Sequence, residues 1–363
     1  MAIIPPRHGG NLQQAALRLG CAPEQLLDFS ASLVPFAPPA AVRRCMRQAL
    51  ALQVYPDRSY SKLRQAIAQR HQVAADAVLP GNGAAELFTW AARDAAALEL
   101  NHLPAPGFAD YERALACWGG RWQREDLVLP HQEAGPQRLS TAFRSQLAGL
   151  QGPLWVTNPH NPTGQLWSRD SLLELLDRVP LLIVDEAFLP LVPDGEQQSL
   201  AALASRHPQL VVIRSLTKLF GIAGLRLGYA IAEPQRLQRW SVWRDPWPVN
   251  GLAAAAGEVL MADAAWTRRV QTWVATERPW LVGELVRRGW QVSPSSGNFL
   301  LVRRGHSLET WRQKLEQKHH ILVRDCRSFE GLDERWWRLA LLDRRRNRRL
   351  LRALDQVQAT DRA

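Results

Sequence analysis

Lys218 closes the run Ser215-Leu216-Thr217-Lys218, and eight residues further on Arg226 lies in Gly224-Leu225-Arg226-Leu227-Gly228. The segment combines an amine able to form an imine, two hydroxyls able to hold a phosphate, and a guanidinium able to neutralise it. An amine that attacks a carbonyl must be neutral near physiological pH, so its pKa has to fall. A bound phosphate needs fixed donors and positive charge. Gly221, Ala223 and Gly224 let the backbone fold tightly between these groups. A lysine and an arginine on a solvated loop is the plainer reading of the same residues.

Other residues can complete such a site. Asp185 ends the apolar run Leu181-Leu182-Ile183-Val184, which reads as a buried parallel strand. A carboxylate there stands where ligands of open α/β sheets bind, although a helix cap would use the same residue type. Asn161 lies in Asn158-Pro159-His160-Asn161-Pro162-Thr163-Gly164, whose prolines and glycine would hold its amide in a rigid turn. Gly83, Ala84 and Ala85 precede an apolar helical stretch, and backbone N–H groups at such a start form an anion cradle. Phe108, in Pro106-Gly107-Phe108-Ala109-Asp110-Tyr111, can stack on an aromatic ring or pack in a core.

The elements that must position these groups alternate between strand and helix patterns from Leu79 to Ala232. That pattern predicts a mainly parallel sheet covered on both faces. Pro246 to Asn250 reads as a hinge into an α+β region with helices near 251–289 and strands near 298–303, 321–324 and 337–342. The expected division is an N-terminal arm with part of a small domain (1–45), a large domain (46–248) and a C-terminal small domain (249–363). The arm, rich in prolines (Pro5, Pro6, Pro35, Pro38, Pro39), reads as extended rather than helical. Late in the chain, Arg338 begins the apolar run Leu339-Ala340-Leu341-Leu342, where a guanidinium is costly unless paired. A substrate carboxylate or Asp343 would serve. Arg324 ends Ile321-Leu322-Val323, with Asp325 and Glu330 as its own candidate partners.

In chain order these motifs resemble the class I and II aminotransferases, over nearly the whole chain from His8 to about Leu354. The resemblance implies the α/β type I fold of pyridoxal 5'-phosphate (PLP) enzymes, with a mainly parallel seven-stranded sheet covered by helices and a smaller α+β domain. It implies that Lys218 is the catalytic residue, linked to the cofactor as an imine and later moving protons. Asp185 would pair with the ring nitrogen, Asn161 with the ring oxygen, and Phe108 would stack on the ring. The cofactor phosphate would lie among Gly83, Ala84, Ala85, Ser215, Thr217 and Arg226. Tyr55, before the rigid Pro56, would reach the phosphate from a neighbouring subunit, giving a homodimer with shared sites. Family members often carry tyrosine three residues after the aspartate. Here Phe188 stands there, so the ring oxygen leans more on Asn161.

Two branches fit, histidinol-phosphate aminotransferase and the threonine-phosphate decarboxylase of cobalamin synthesis. His8-Gly9-Gly10-Asn11, Asp28-Phe29-Ser30-Ala31 and Val323-Arg324-Asp325-Cys326 resemble the decarboxylase. That branch implies a phosphorylated amino-acid substrate held by His8, Ser32, Asn161, Arg324 and Arg338. Ser32, Val34 and Leu342 depart from its pattern and leave the substrate less defined than the cofactor.

Composition agrees with an enzyme of this kind. A chain of 363 residues exceeds one small core. Four widely spaced cysteines suggest neither a zinc site nor a disulfide framework. No leader-like or membrane-length apolar run is visible, so a cytoplasmic location and no membrane partner are expected. Lys and Arg outnumber Asp and Glu by 45 to 34, most densely in Arg344-Arg345-Arg346-Asn347-Arg348-Arg349. A nucleic-acid-binding face is the non-enzyme reading of that cluster. Because Leu350, Leu351 and Leu354 follow, the cluster reads instead as the polar side of an amphipathic helix, and no nucleic-acid partner is expected. A positive field also draws in anionic substrates.

Overall fold

The protein is described by a computed structural model covering residues 9–48, 53–127, 129, 134–147 and 149–362. Its strands are numbered in chain order. β1 (Leu27–Asp28) comes first, then β2 (Val78–Asn82), β3 (Leu100–Ala105), β4 (Arg121–Asp126) and the short β5 (Pro136–Gln137). The middle of the chain adds β6 (Leu154–Thr157), β7 (Leu166–Trp167), β8 (Leu182–Asp185), β9 (Leu210–Ser215) and β10 (Leu227–Ile231). The last are β11 (Gln291–Val292), β12 (Phe299–Arg303), β13 (Ile321–Leu322), β14 (Arg324–Asp325) and β15 (Trp336–Ala340).

Seven strands form the main sheet in the order β2-β10-β9-β8-β6-β3-β4. All its pairings are parallel except the two made by β10. The strands are apolar at successive positions because both faces are covered. Val156, Leu182, Val184 and Val212 join a core on one face. Trp155, Ile183, Val211 and Ile213 meet Leu87, Phe88 and Ala91 of the helix Gly83–Ala96 on the other. Pro80 is tolerated because β2 lies at the sheet edge, with β10 as its partner.

A second sheet, β11-β12-β15-β14, is antiparallel. β1 joins the same region by pairing in parallel with β13, Leu27 opposite Ile321. The arm therefore folds back onto the last quarter of the chain. It is not wholly extended, as its prolines suggested. Leu12–Leu19 is a helix, capped by the Asn11 side chain on the Gln14 N–H and ended by Gly20 in the left-handed region. Between the prolines the local sequence favours helix, and Arg18 fastens it to Glu316 at 2.6 Å.

The basic cluster belongs to the helix Arg344–Arg362. Arg344 meets Glu277 at 2.9 Å and lies 3.9 Å from the Trp280 ring centroid, while Arg346 pairs with Asp343. Among the described residues no helix is long and apolar enough to cross a membrane.

Candidate active site

Parallel pairing brings the chemistry to one edge of the main sheet. Thr157 and Asp185 are register partners at the carboxyl ends of β6 and β8, and Ser215 ends β9 next door. β10 runs the other way, so its start lies at that same end, Gly228 opposite Ser215, with Arg226 just ahead of it. β2 likewise ends there, Asn82 opposite Leu227, and hands over to Gly83. Residues far apart in sequence meet because β2, β6, β8 and β9 all end, and β10 begins, at this edge of the sheet.

A buried ion cluster fixes two of these strand ends. Arg214, 1% exposed, bonds Glu186 at 2.8 Å and Glu196 at 2.9 Å, and Glu186 also accepts from Ser199 and the Leu200 N–H. Asp185 and Ser215 are the immediate chain neighbours of Glu186 and Arg214.

A cavity of about 200 Å³ opens over this edge. Lys218, Asp185, Asn161 and Phe108 line it, as do Ala84, Ala85, Ser215, Thr217 and Arg226. On its other side stand Ser32, Arg324 and Arg338. Gly83 sits behind Ala84 with φ +72°, and a Cβ there would lie 2.6 Å from Arg226 Nη2. Gly228 is equally constrained, since a Cβ would lie 2.7 Å from the Ala84 nitrogen. The two glycines let Arg226 and the first turn of the helix Gly83–Ala96 approach one another, which makes the predicted anion cradle sterically open.

Lys218 is partly buried, and its pKa falls to about 8 through burial and the positive charges of Arg338 and Arg226. Its Nζ lies 5.8 Å from the centroid of Phe188, a ring that offers no hydrogen bond. Trapping of a small aldehyde at Lys218 by borohydride should therefore rise about tenfold per pH unit and level off above roughly pH 8. Mass spectrometry of the trapped adduct checks this, and a plateau no lower than an ordinary lysine's would contradict the burial argument.

Asp185 is 4% exposed, and burial raises its carboxyl pKa to about 6 against the lowering effects of Tyr111, the Ala187 N–H and Lys218. Its Oδ1 accepts from Ala187 at 2.9 Å and its Oδ2 from the Tyr111 hydroxyl at 2.7 Å. Asn161 Oδ1 accepts from Arg338 Nη1 at 2.5 Å, which leaves the amide nitrogen to donate into the cavity.

Arg338 makes its second bond to the Ser30 carbonyl at 3.0 Å, while its Nε and the Ser32 hydroxyl, both buried, have no hydrogen-bond partner among the described residues. Asp343, considered as its partner from sequence, pairs instead with Arg346. Burial and then Arg324 lower the Arg338 pKa to about 10. Arg324 and Arg338 are register partners on β14 and β15, so the two guanidiniums leave the sheet on one face. Asp325 is taken by Arg327, and Glu330 by Arg124. Arg324 donates to Ser328 Oγ at 2.5 Å and lies 5.0 Å from the Phe329 ring centroid.

One predicted residue is outside the described residues and one lies away from the cavity. His8 is outside the described residues, although Gly9 next to it lines the cavity. Tyr55 is 74% exposed and stacks on Trp247 at 4.4 Å, away from the cavity of its own chain. Tyr111, Asp110, Phe88, Ser30 and Phe329 were missed as site residues. Ser30 stood in the quoted Asp28-Phe29-Ser30-Ala31 motif, and Asp110 and Tyr111 follow Phe108 at the start of a helix.

The fold and site define a PLP-type aminotransferase architecture, and the family profile described as Aminotransferase class I and II matches residues 24–354. The chain belongs to that family. It is 38% identical to the threonine-phosphate decarboxylase of Salmonella typhimurium, covering 98% of each chain. The crystal structure of the histidinol-phosphate aminotransferase from Clostridium acetobutylicum superposes with a TM-score of 0.83 at 26% identity, covering 92% of this chain and 100% of that one. A histidinol-phosphate aminotransferase from Sinorhizobium meliloti in complex with pyridoxal-5'-phosphate shares the fold, with a TM-score of 0.82 at 20% identity over 99% and 98% of the two chains.

Proposed function

We propose that this chain binds PLP at Lys218 and decarboxylates L-threonine O-3-phosphate, releasing carbon dioxide and (R)-1-amino-2-propanol O-2-phosphate. The observation that carries the substrate is the arginine pair. Like charges directly opposite on one sheet face repel, and an anion placed between them relieves that repulsion. Arg324 and Arg338 are both less than a tenth exposed and both line the cavity. A short substrate with a carboxylate and a phosphate can set one anion against each guanidinium facing the cavity. Histidinol phosphate brings a phosphate and an amine but no carboxylate. The likeness to the Salmonella decarboxylase supports the same choice.

The residues present fit the cofactor. The open cradle at Gly83, with Ala84, Ala85, Ser215, Thr217 and Arg226, suits a phosphate. Asp185 offers a carboxylate to the ring nitrogen, Phe108 a face to the ring, and the Asn161 amide a donor to the ring oxygen. Bound there, PLP supplies an electron sink for the substrate α-carbon. The protein's part is orientation and proton handling. Arg338 takes the carboxylate, with the unpartnered Ser32 hydroxyl beside it, while Arg324 anchors the phosphate. Remote binding energy then fixes which α-carbon bond stands across the ring plane. Lys218, with its lowered pKa, gives and takes a proton at Nζ.

The pure protein should release carbon dioxide from phosphothreonine. Glutamate formation from 2-oxoglutarate would be absent when histidinol phosphate is the amine donor. The reverse outcome would move the assignment to the aminotransferase branch, with the same cavity.

The working unit in this reading is a symmetric homodimer. Its support is Tyr55, exposed on its own chain and free to complete a partner's cradle. Tyr55→Phe should weaken PLP retention about tenfold, the scale of one hydrogen bond to a charged group, with the melting temperature unchanged. In mixed dimers of Tyr55→Phe and Lys218→Ala chains, one site should keep both native residues. Spectroscopic titration that finds no intact site would rule out sharing.

A further inference from the structure

The two oxygens of Asp185 are held in different ways. Oδ1 takes a backbone N–H from Ala187, two residues along the same chain segment. Oδ2 takes the hydroxyl of Tyr111, and the same phenolic oxygen lies 2.6 Å from Thr157 Oγ1. A phenol has one proton to give. Since that proton goes to the carboxylate, Thr157 must donate to Tyr111, and the chain of bonds runs one way, from Thr157 through Tyr111 to Asp185. Bonds aligned in this sense polarise one another in a low-dielectric interior. The ring of Tyr111 also stands edge-on to Phe108, with centroids 5.5 Å apart at 85°, and to Phe88 at 5.1 Å and 83°.

We propose that Tyr111, backed by Thr157, is a positioning residue for the cofactor, aiming Asp185 at the ring nitrogen while bracing the stacking ring of Phe108. One short segment, 108–111, thus sets both a face and an edge of the bound ring. The inference rests on the PLP reading above.

The charged and titratable groups around Asp185 are Tyr111 from the helix Asp110–Ala116, Lys218 from the short helix Leu216–Phe220 after β9, and its chain neighbour Glu186. Asp110 in turn faces Tyr111. Burial raises the Asp185 pKa, and the Tyr111 hydrogen bond is the first influence opposing it. Removing that donor raises the pKa further, so more of the carboxyl is neutral at a given pH. The affinity for a protonated ring nitrogen then fails at a higher pH on the acid side.

Cofactor uptake by the wild-type protein separates the two ideas. If the wild type binds no PLP, the cofactor reading itself falls. Given uptake, Tyr111→Phe, Thr157→Val and the double variant are titrated with PLP across the acid and neutral range. The dissociation constant and the NMR shift of an isotope-labelled ring nitrogen are read at each pH. Tyr111→Phe should weaken binding about tenfold and move the acid limb up by about one pH unit, the scale of one charge-assisted hydrogen bond. Thr157→Val should act in the same direction but less. The double variant should match Tyr111→Phe alone, because the threonine acts only through the tyrosine. An unmoved acid limb in Tyr111→Phe would overturn the proposal, even if the apo-protein melted earlier. Losses that simply add in the double variant would also overturn it.

Discussion

Lys218→Ala is expected to lower turnover by about 10⁴-fold or more, beyond what positioning alone can restore, because proton transfer by a placed base is worth up to roughly that factor. The lysine is the one amine lining the cavity among the described residues, and its surroundings keep it reactive. Two arginines near a buried ammonium favour loss of its proton. The absorbance of bound cofactor should then no longer be fixed by borohydride, although PLP still binds through the phosphate cradle. Lys218→Arg keeps a positive charge but supplies no titratable amine, so it should be as inactive as the alanine variant. Appreciable turnover in either variant would place the proton-transferring group elsewhere.

Arg324→Ala is expected to cut kcat/KM for phosphothreonine about 10- to 150-fold, the range of one charge-assisted contact. Turnover of unphosphorylated L-threonine, which never uses that contact, should change little. The visible spectrum of bound cofactor should stay as in the wild type, since Arg324 stands on β14, while the cofactor residues gather at the edge of the main sheet. The removed charge is also the second influence depressing the Arg338 pKa, so Arg338 should become harder to deprotonate. Equal losses with both substrates would mean that Arg324 acts by holding Ser328 and Phe329 in place rather than by meeting phosphate.

The cofactor half of this site was legible in the sequence because its parts are local. Ser215, Thr217, Lys218 and Arg226 lie within one strand–turn–strand unit, and Asp185 is marked by the apolar run before it. The parallel sheet was legible for the same reason, since strands buried on both faces leave continuous apolar runs. Tyr111 was not legible as a partner of Asp185, because a tyrosine on an apolar helix face looks the same whether its hydroxyl meets a carboxylate or water. The pairing of Arg324 with Arg338 depended on the register of β14 against β15, and β14, two residues long, is too short to show alternation. The helix Leu12–Leu19 was masked by the prolines on either side, although Asn11 and Gly20 are ordinary caps for it. Tyr55, read from its motif as serving a neighbouring subunit, is exposed on its own chain.

The return of the arm to the far end of the chain carries a consequence for biosynthesis. β1 can pair only after β13 has been made, and the Ser30 carbonyl receives Arg338 from 308 residues downstream. At about 5–20 residues per second a ribosome needs roughly 15 to 60 s to cover that interval. The main sheet, whose strands all lie between Val78 and Ile231, can close well before then. Lys218 and the residues that its own chain would give the proposed phosphate cradle can therefore assemble while the arginine wall is still unmade. On the proposed assignment, the cofactor side of the cavity takes shape before the substrate side, and only the last strands close the two against each other.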